Sequence, residues 1–296
     1  MAGDDRAGSE LITAAYEYEA PSTLDDAYEL ASRAGAVLLA GGQSLITDLK
    51  RAAQSPSLVV DLRRIESLQA SGVDGWGAMT TLDALAADPE VTAAPSALTD
   101  ALEAIHDPQV RNRATIGGSV ALVHQGADLP AVALALGAVL TITGPDGPRV
   151  VEAADFVTAP VEKRLKRGEI VTAVRIPAPL PGSGSAYEKL PNPASGYAIC
   201  GVAASVVVSA EGKVEAAAIG LAGAGPTALS LAATAQRLTG TQATDEEVTN
   251  AAASAADGLQ LPSDLAAPAD YRAHLIRVLT ARALRRAIRR ATEGAR

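Results

Sequence analysis

Val37-Leu38-Leu39-Ala40-Gly41-Gly42-Gln43-Ser44-Leu45 is the stretch whose reading decides the fold. A short apolar strand, Val37 to Ala40, runs straight into two glycines. Two small polar residues follow, and then a segment of helix formers reaching Arg51. The same grammar returns at Thr115-Ile116-Gly117-Gly118-Ser119. Paired glycines at such a turn let backbone N–H groups approach two neighbouring phosphates with no side chain in the way, and a helix opening there adds a favourable dipole. Gln43, Ser44 and Ser119 supply further donors. Either pair alone reads equally well as a tight turn; two pairs with one grammar point to the pyrophosphate of a dinucleotide. Asp128 stands just before Leu129-Pro130, where its carboxylate either accepts from ribose hydroxyls or caps a helix.

Outward from these turns, strand, turn and helix alternate. Ala15 to Glu19 reads as a strand, Pro21-Ser22-Thr23 as the cap of a helix to about Ala34, and Ser57 to Leu62 as another strand. Ala78-Met79-Thr80-Thr81 opens into a helix over Leu82 to Ala87, and Ser96 to Ile105 is helical, ending before Pro108. The run Val110 to Ser119 is basic, polar and Gly-rich. A helix from Leu129 to Leu136 precedes a hairpin, Ala138 to Thr143 and Arg149 to Glu152, turning at Gly144-Pro145-Asp146-Gly147, and Glu169 to Pro177 is a strand. The Pro, Gly and Ser content of residues 179–186 marks a linker. Beyond it, Ala198 to Ser209 and Val214 to Leu221 read as antiparallel strands ahead of Ala-rich helices, which is an α+β pattern. The expected division is a flexible N-terminus over 1–14, a first domain over 15–178, the linker, and a second domain over 187–292.

A chain of 296 residues accommodates two domains. With 48% hydrophobic but only 3% aromatic residues, its core must be made of small aliphatics that bring backbones close together. A formal charge of −9 argues against a sequence-independent nucleic-acid binder, which needs a basic surface. The one cysteine, Cys200, rules out an intramolecular disulfide and cannot by itself hold an iron–sulfur cluster or a structural zinc. The N-terminal residues lack a signal-peptide pattern and no run is apolar for the length of a membrane span, so a cytoplasmic protein without a membrane span is expected.

Seven segments carry a resemblance: AGGQSL (Ala40 to Leu45), DLRRIESL (Asp61 to Leu68), GAMTT (Gly77 to Thr81), DPQVRNRATIGGS (Asp107 to Ser119), ADLPA (Ala127 to Ala131), YEKL (Tyr187 to Leu190) and YRAHLIRVLTARALRRA (Tyr271 to Ala287). In this order they resemble the FAD-binding medium subunits of the aerobic carbon monoxide dehydrogenase and xanthine dehydrogenase family, the molybdenum hydroxylases. The resemblance implies an α+β chain: a vanillyl-alcohol-oxidase (PCMH)-type FAD-binding domain with two subdomains, then a smaller α+β C-terminal domain of the CO dehydrogenase flavoprotein type. It implies that Ala40, Gly41, Gly42, Gln43, Ser44 and Leu45, with Thr115, Ile116, Gly117, Gly118 and Ser119, hold the FAD pyrophosphate. By the same resemblance Asp128 binds toward the ribose, Val171 and Lys189 line the flavin, and Tyr197 covers one face of the isoalloxazine. It further implies an oxidoreductase subunit that relays electrons from [2Fe–2S] clusters on a small partner subunit to an external acceptor. Substrate oxidation then belongs to a large molybdopterin subunit, in a dimer of heterotrimers. Three stretches depart from the family pattern: Gln69 to Trp76 is short, Ser119 stands where Asn or Asp is common, and Val123-His124-Gln125-Gly126 replaces an Ala-Asp-Pro-containing loop. A free-standing flavin oxidoreductase on the same scaffold, and an assembly scaffold that has lost FAD, remain the alternatives.

Other features have plainer readings. Gly223-Ala224-Gly225-Pro226-Thr227-Ala228 imitates a Rossmann fingerprint but lacks the apolar strand a βαβ unit needs before Asp245-Glu246-Glu247. His106 and His124 have no partner at metal-ligand spacing, and Cys200 reads as buried packing. Arg111 and Arg113 suit either an anion or a structural ion pair. The helix over Arg272 to Arg290 carries a basic face, read as solvated or, more sharply, as a docking surface for an acidic partner.

Overall fold

The computed structural model describes residues 15–72, 75–93, 96–122 and 124–293, so the N-terminal segment expected to be flexible lies outside the described residues. The first sheet is parallel, in the order β1-β3-β2, from β1 (Glu17–Glu19), β2 (Ala36–Leu39) and β3 (Leu58–Asp61). Helix α1 (Leu24–Ala31) joins β1 to β2, and α2 (Leu45–Lys50) joins β2 to β3. Thr23 starts α1 by accepting from the Asp26 N–H at 3.2 Å, with Asp25 and Asp26 favourably placed at the positive end of the helix. The helix ends at Ala31, short of the expected Ala34, because Ser32 and Arg33 tighten onto the Tyr28, Glu29 and Leu30 carbonyls. All four residues of the central strand β3 are buried, including Asp61, which accepts from the Tyr18 hydroxyl at 2.6 Å and from Arg63.

The second sheet is antiparallel, in the order β4-β5-β8-β6-β7. Its strands are β4 (Ser71–Gly72), β5 (Gly75–Gly77), β6 (Val139–Gly144), β7 (Gly147–Glu152) and β8 (Ile170–Arg175). The short Gln69 to Trp76 region is thus a small hairpin, with Val73 and Asp74 outside the described residues. Between β5 and β6 come α3 (Leu82–Ala86), α4 (Pro89–Thr92), α5 (Ala97–Ala104), α6 (Pro108–Arg111), α7 (Ile116–Ala121) and α8 (Asp128–Ala135); α9 (Ala153–Thr158) and α10 (Val161–Arg164) lie between β7 and β8. The run Val110 to Ser119 turns out to contain helix. Asp107 caps α6 with Pro108 at its first position, and the Thr115 hydroxyl accepts from the Gly118 N–H to start α7.

The third sheet is antiparallel, β12-β11-β10-β9, from β9 (Ser183–Pro191), β10 (Ala198–Val208), β11 (Val214–Ala222) and β12 (Leu229–Ser230). Helices α11 (Ala232–Leu238), α12 (Asp245–Ala253) and α13 (Ala269–Glu293) follow. Strand β9 begins inside the stretch read as a linker: the Ser185 hydroxyl accepts from the Ala97 N–H at 3.0 Å, so this segment is tied to α5. The Gly223 to Ala228 segment connects two antiparallel strands, so no βαβ unit forms there. Helix α8, apolar all round after Asp128, is buried at every residue and packs against β10 and β11. The approach is so close that a Cβ on Gly220 would sit 2.0 Å from the Ala131 carbonyl oxygen. Among the described residues no helix is long and apolar enough to cross a membrane.

The basic face of α13 is solvated only in part: Arg277, Arg282, Arg285 and Arg289 are exposed, while Arg272, Arg286 and Arg290 turn inward. Buried Arg272 donates to the Ile199 and Gly223 carbonyls at 2.6 and 2.8 Å and to both Asp264 oxygens at 2.8 Å. Arg286 and Arg290 reach Asp100 on α5 at 2.7 and 2.8 Å, and Arg290 also donates to the Ser185 carbonyl. Arg285 pairs with Asp245, while Arg282 and Arg289 stay exposed. Asp100 additionally accepts from the Tyr187 N–H at 2.9 Å, so one carboxylate joins α5, β9 and α13. Asp100→Ala takes the shared carboxylate from Arg286, Arg290 and the Tyr187 N–H, leaving Arg286 with Glu188 and Arg290 with the Ser185 carbonyl. It is expected to lower stability by about 2–4 kcal/mol, less than for a fully buried pair because Arg286 is partly solvated; urea unfolding of the two proteins measures it.

Candidate functional site

The two glycine turns meet. A Cβ on Gly41 would lie 1.9 Å from the Arg113 carbonyl oxygen and 2.9 Å from the Ala114 Cα, and one on Gly118 would lie 3.2 Å from the Ala40 Cβ. Ala40, Gly41, Gly42, Gln43, Ser44 and Leu45 line one cleft of about 430 Å³ together with Thr115, Gly117, Gly118 and Ser119. Val171 stands in its wall. Ile116 belongs to the same turn, but its side chain points away into the core.

The reason these positions are glycine is only partly the expected one. Gly42 takes φ +81°, a left-handed conformation that a side chain disfavours. Gly41 and Gly117 are held small by protein rather than by ligand: Gly41 by the Arg113 carbonyl, Gly117 by Ala78, 2.5 Å from where its Cβ would lie. The turns also differ in their donors. Ile116 and Gly117 donate to the Thr80 and Ala78 carbonyls at 2.9 Å, Gly118 to the Thr115 hydroxyl, and Ser119 to the Thr115 carbonyl at 2.8 Å. The expectation that both turns offer free amides therefore holds for the first alone. Among the described residues, the N–H groups of Gly41, Gly42, Gln43 and Ser44 donate to no protein acceptor. Four open amides beside the hydroxyls of Ser44 and Ser119, with apolar walls from Leu62, Met79, Leu165 and Val171, fit an anionic group joined to a flat apolar one.

Asp128 and Lys189 come together, away from the cleft lining. Lys189 donates from Nζ to Asp128 Oδ2 at 2.8 Å, and the Tyr187 hydroxyl donates to Oδ1. The Asp128 and Lys189 side chains are 6% and 4% exposed, so this is a buried ion pair joining α8 to β9. Burial raises the Asp128 pKa, opposed by the Lys189 charge and the two hydrogen bonds, while burial and the neighbouring carboxylate hold the Tyr187 phenol well above its ordinary value. Both Asp128 oxygens are thus engaged by the protein, where the resemblance pointed to ribose.

Tyr197 sits beside the first turn, its hydroxyl 3.5 Å from Ser44 Oγ. Its ring is stacked on His124, with centroids 4.0 Å apart and planes 26° from parallel. Burial lowers the His124 pKa, partly countered by the Asp48 carboxylate. Arg111 is structural, donating to the Ile105 carbonyl at 2.7 Å, whereas Arg113 contributes its backbone to the meeting of the turns. Cys200 is buried and its thiol is pushed up to about 12, so it is inert. No three His, Cys, Asp or Glu residues cluster to hold a metal among the described residues. The reading of the sequence missed Tyr187 as the partner of Asp128, and the walls from Val161 and Leu165. Tyr187 was signalled by YEKL, where strand alternation puts it on one face with Lys189; the short α10 segment offered no periodicity to read.

Two family profiles match the chain: residues 14–179 match the "FAD binding domain in molybdopterin dehydrogenase", and residues 185–287 the "CO dehydrogenase flavoprotein C-terminal domain". The carbon monoxide dehydrogenase medium chain of Afipia carboxidovorans is 37% identical over 288 residues, covering 95% of this chain and 99% of that one. The alpha subunit of the 6-hydroxypseudooxynicotine dehydrogenase complex of Paenarthrobacter nicotinovorans is 31% identical, covering 93% and 95%. Among solved structures, a chain of the cyanide-inactivated Cu,Mo-CO dehydrogenase superposes with a TM-score of 0.88 at 35% identity, covering 95% of this chain and all of that one.

The buried pair sets a test that needs no ligand. Lys189→Met strands the Asp128 carboxylate and is expected to destabilise the protein by about 3–5 kcal/mol, while the Asp128→Asn, Lys189→Met double variant recovers part of that loss. Chemical denaturation of the three variants reads the coupling directly.

Proposed function

The chain belongs to the family of FAD-binding medium subunits of molybdenum hydroxylases, and on that premise we propose that it relays electrons from [2Fe–2S] clusters of a small partner subunit, through FAD, to an external acceptor. The reading includes a large molybdopterin subunit that oxidises the substrate, a dimer of heterotrimers, and a cytoplasmic location. One cysteine in 296 residues leaves the clusters to another chain. When bound, FAD supplies the reversible electron transfer; the protein supplies binding, orientation and shielding from water.

The observation that carries the reading is that the N–H groups of Gly41 to Ser44 have no protein acceptor among the described residues, on residues that line a single cleft together with Ser119. In this proposal those amides and the Ser44 and Ser119 hydroxyls hold the diphosphate. Thr115, Ile116, Gly117 and Gly118 form the opposing turn that shapes the cradle, and Leu45 closes its end. Val171 is an apolar wall for the flavin, and Tyr197 covers one of its faces. Asp128 acts through its neighbours: it fixes the Lys189 ammonium and the Tyr187 phenol behind the wall, and one lone pair on each of its oxygens is left for ribose.

The purified full chain is expected to be yellow, with one FAD per chain. Gly42→Asp sets a carboxylate among the open amides. Like charges brought together at a binding site cost several kcal/mol, so the variant is expected to bind FAD about 100-fold or more weakly. Its far-ultraviolet circular dichroism checks the fold, and equilibrium titration with FAD checks the affinity. Full FAD content in a folded Gly42→Asp protein overturns the assignment.

A further inference from the structure

Tyr197 is presented by the turn between β9 and β10. Asn192 donates its N–H to the Tyr197 carbonyl at 2.7 Å, and Gly196 takes φ +73° one residue earlier. The phenol therefore has a fixed root, and at its tip a long 3.5 Å contact with Ser44 Oγ, which leaves the tilt of the ring to be set by what lies against its face. On one face it meets His124 at 4.0 Å. His124 is itself well anchored. Its Nδ1 accepts the Gly126 N–H at 3.1 Å, which fixes the ring plane and puts the proton of the neutral imidazole on Nε2. The segment that carries it is bonded to the third sheet twice: Ala198 donates to the Gly126 carbonyl at 3.0 Å, and Gly223 donates to the Gln125 carbonyl. Gly126 lies so close to β10 that a Cβ there would be 2.7 Å from the Ala198 carbonyl oxygen and 3.0 Å from the Tyr197 Cβ. The imidazole is thus a plate mounted on the same strand start that carries the phenol.

We infer that His124 is a positioning residue for the flavin: it backs one face of Tyr197 so that the opposite face stands as a preset wall for the isoalloxazine. The inference rests on the flavin reading of the cleft. Its physical content is preorganisation. Stacked aromatic pairs contribute beyond the area they bury, and a ring already held in place loses less freedom when a ligand stacks on it. An imidazole held neutral by burial serves better here than a flexible aliphatic chain, because a flat partner restrains the tilt of the phenol as well as its position.

The test uses the full chain as wild type, His124→Ala and His124→Phe, titrated with FAD. Two readouts are taken: the dissociation constant, and the visible circular dichroism and fluorescence of the bound flavin, which report how a phenol stacks on it. His124→Ala is expected to weaken FAD by about 3- to 10-fold, in line with the loss of one aromatic pair, and to alter the dichroic band and the fluorescence quenching. His124→Phe restores the flat partner and is expected to recover both. Thermal melting of the FAD-free variants identifies any loss of fold, in which case the Phe variant decides. Wild-type chain that binds no FAD overturns the flavin reading and this inference with it. Wild-type binding with His124→Ala matching it in both readouts overturns this inference alone, as does a folded His124→Phe that behaves no better than His124→Ala.

Discussion

The arrangement depends on one contact without side chains: the backbone of the first glycine turn lying against the carbonyl of Arg113. Nothing larger than a hydrogen fits at Gly41, where a Cβ would fall 1.9 Å from that oxygen. This contact brings the end of a parallel sheet against a turn that belongs to the second sheet, and the cleft is the seam between them. Because this contact is backbone on backbone, it offers no side-chain rotamer by which the two turns could draw apart.

Electrostatics hold the third sheet to that seam. Asp100 collects Arg286, Arg290 and the Tyr187 amide, and one strand pleat further along Lys189 pairs with Asp128. A core of alanines and valines offers little shape to fix the sliding of β9 over α5 and α8. Paired, hydrogen-bonded charges are directional, and here they set the register in which Tyr197 arrives at the first turn. An aromatic-poor core and a few directional charge contacts beneath β9 thus belong to one solution.

Much of this was legible in the sequence. The Gly-Gly-polar pattern marked both turns, although a helix and not a strand precedes the second, caps such as Thr23, Thr81 and Ser96 start helices where the sequence places them, and Gly144-Pro145-Asp146-Gly147 turns the expected hairpin. What stayed hidden is pairing across long separations. The linker composition of residues 179–186 conceals the start of β9, because Ser and Gly there serve close packing against α5 and α13 rather than flexibility. The arginines of α13 read as a surface from periodicity alone, and only the fold shows that acids and carbonyls from α5, β9, β10 and the loops around Gly223 and Asp264 wait beneath three of them. Two glycine pairs that look equivalent as letters differ in donors, since Thr80, Ala78 and Thr115 consume the amides of the second.

That inequality bears on how an acidic protein holds an acidic ligand. The chain carries −9 charges. The residues lining the cleft include Asp48 and no lysine or arginine among those described. Coulomb attraction from side chains therefore contributes little, and the attraction must come from oriented dipoles: the open amides of Gly41 to Ser44 and two hydroxyls. Such dipoles act at contact distance and fall away faster than a point charge, so they favour a diphosphate seated in the turn over any anion passing near it. They are also screened far less by dissolved salt than surface charges are. A turn of open amides, opposed by a second turn whose own amides are satisfied, leaves one polar face to the cleft and keeps the other wall rigid and inert.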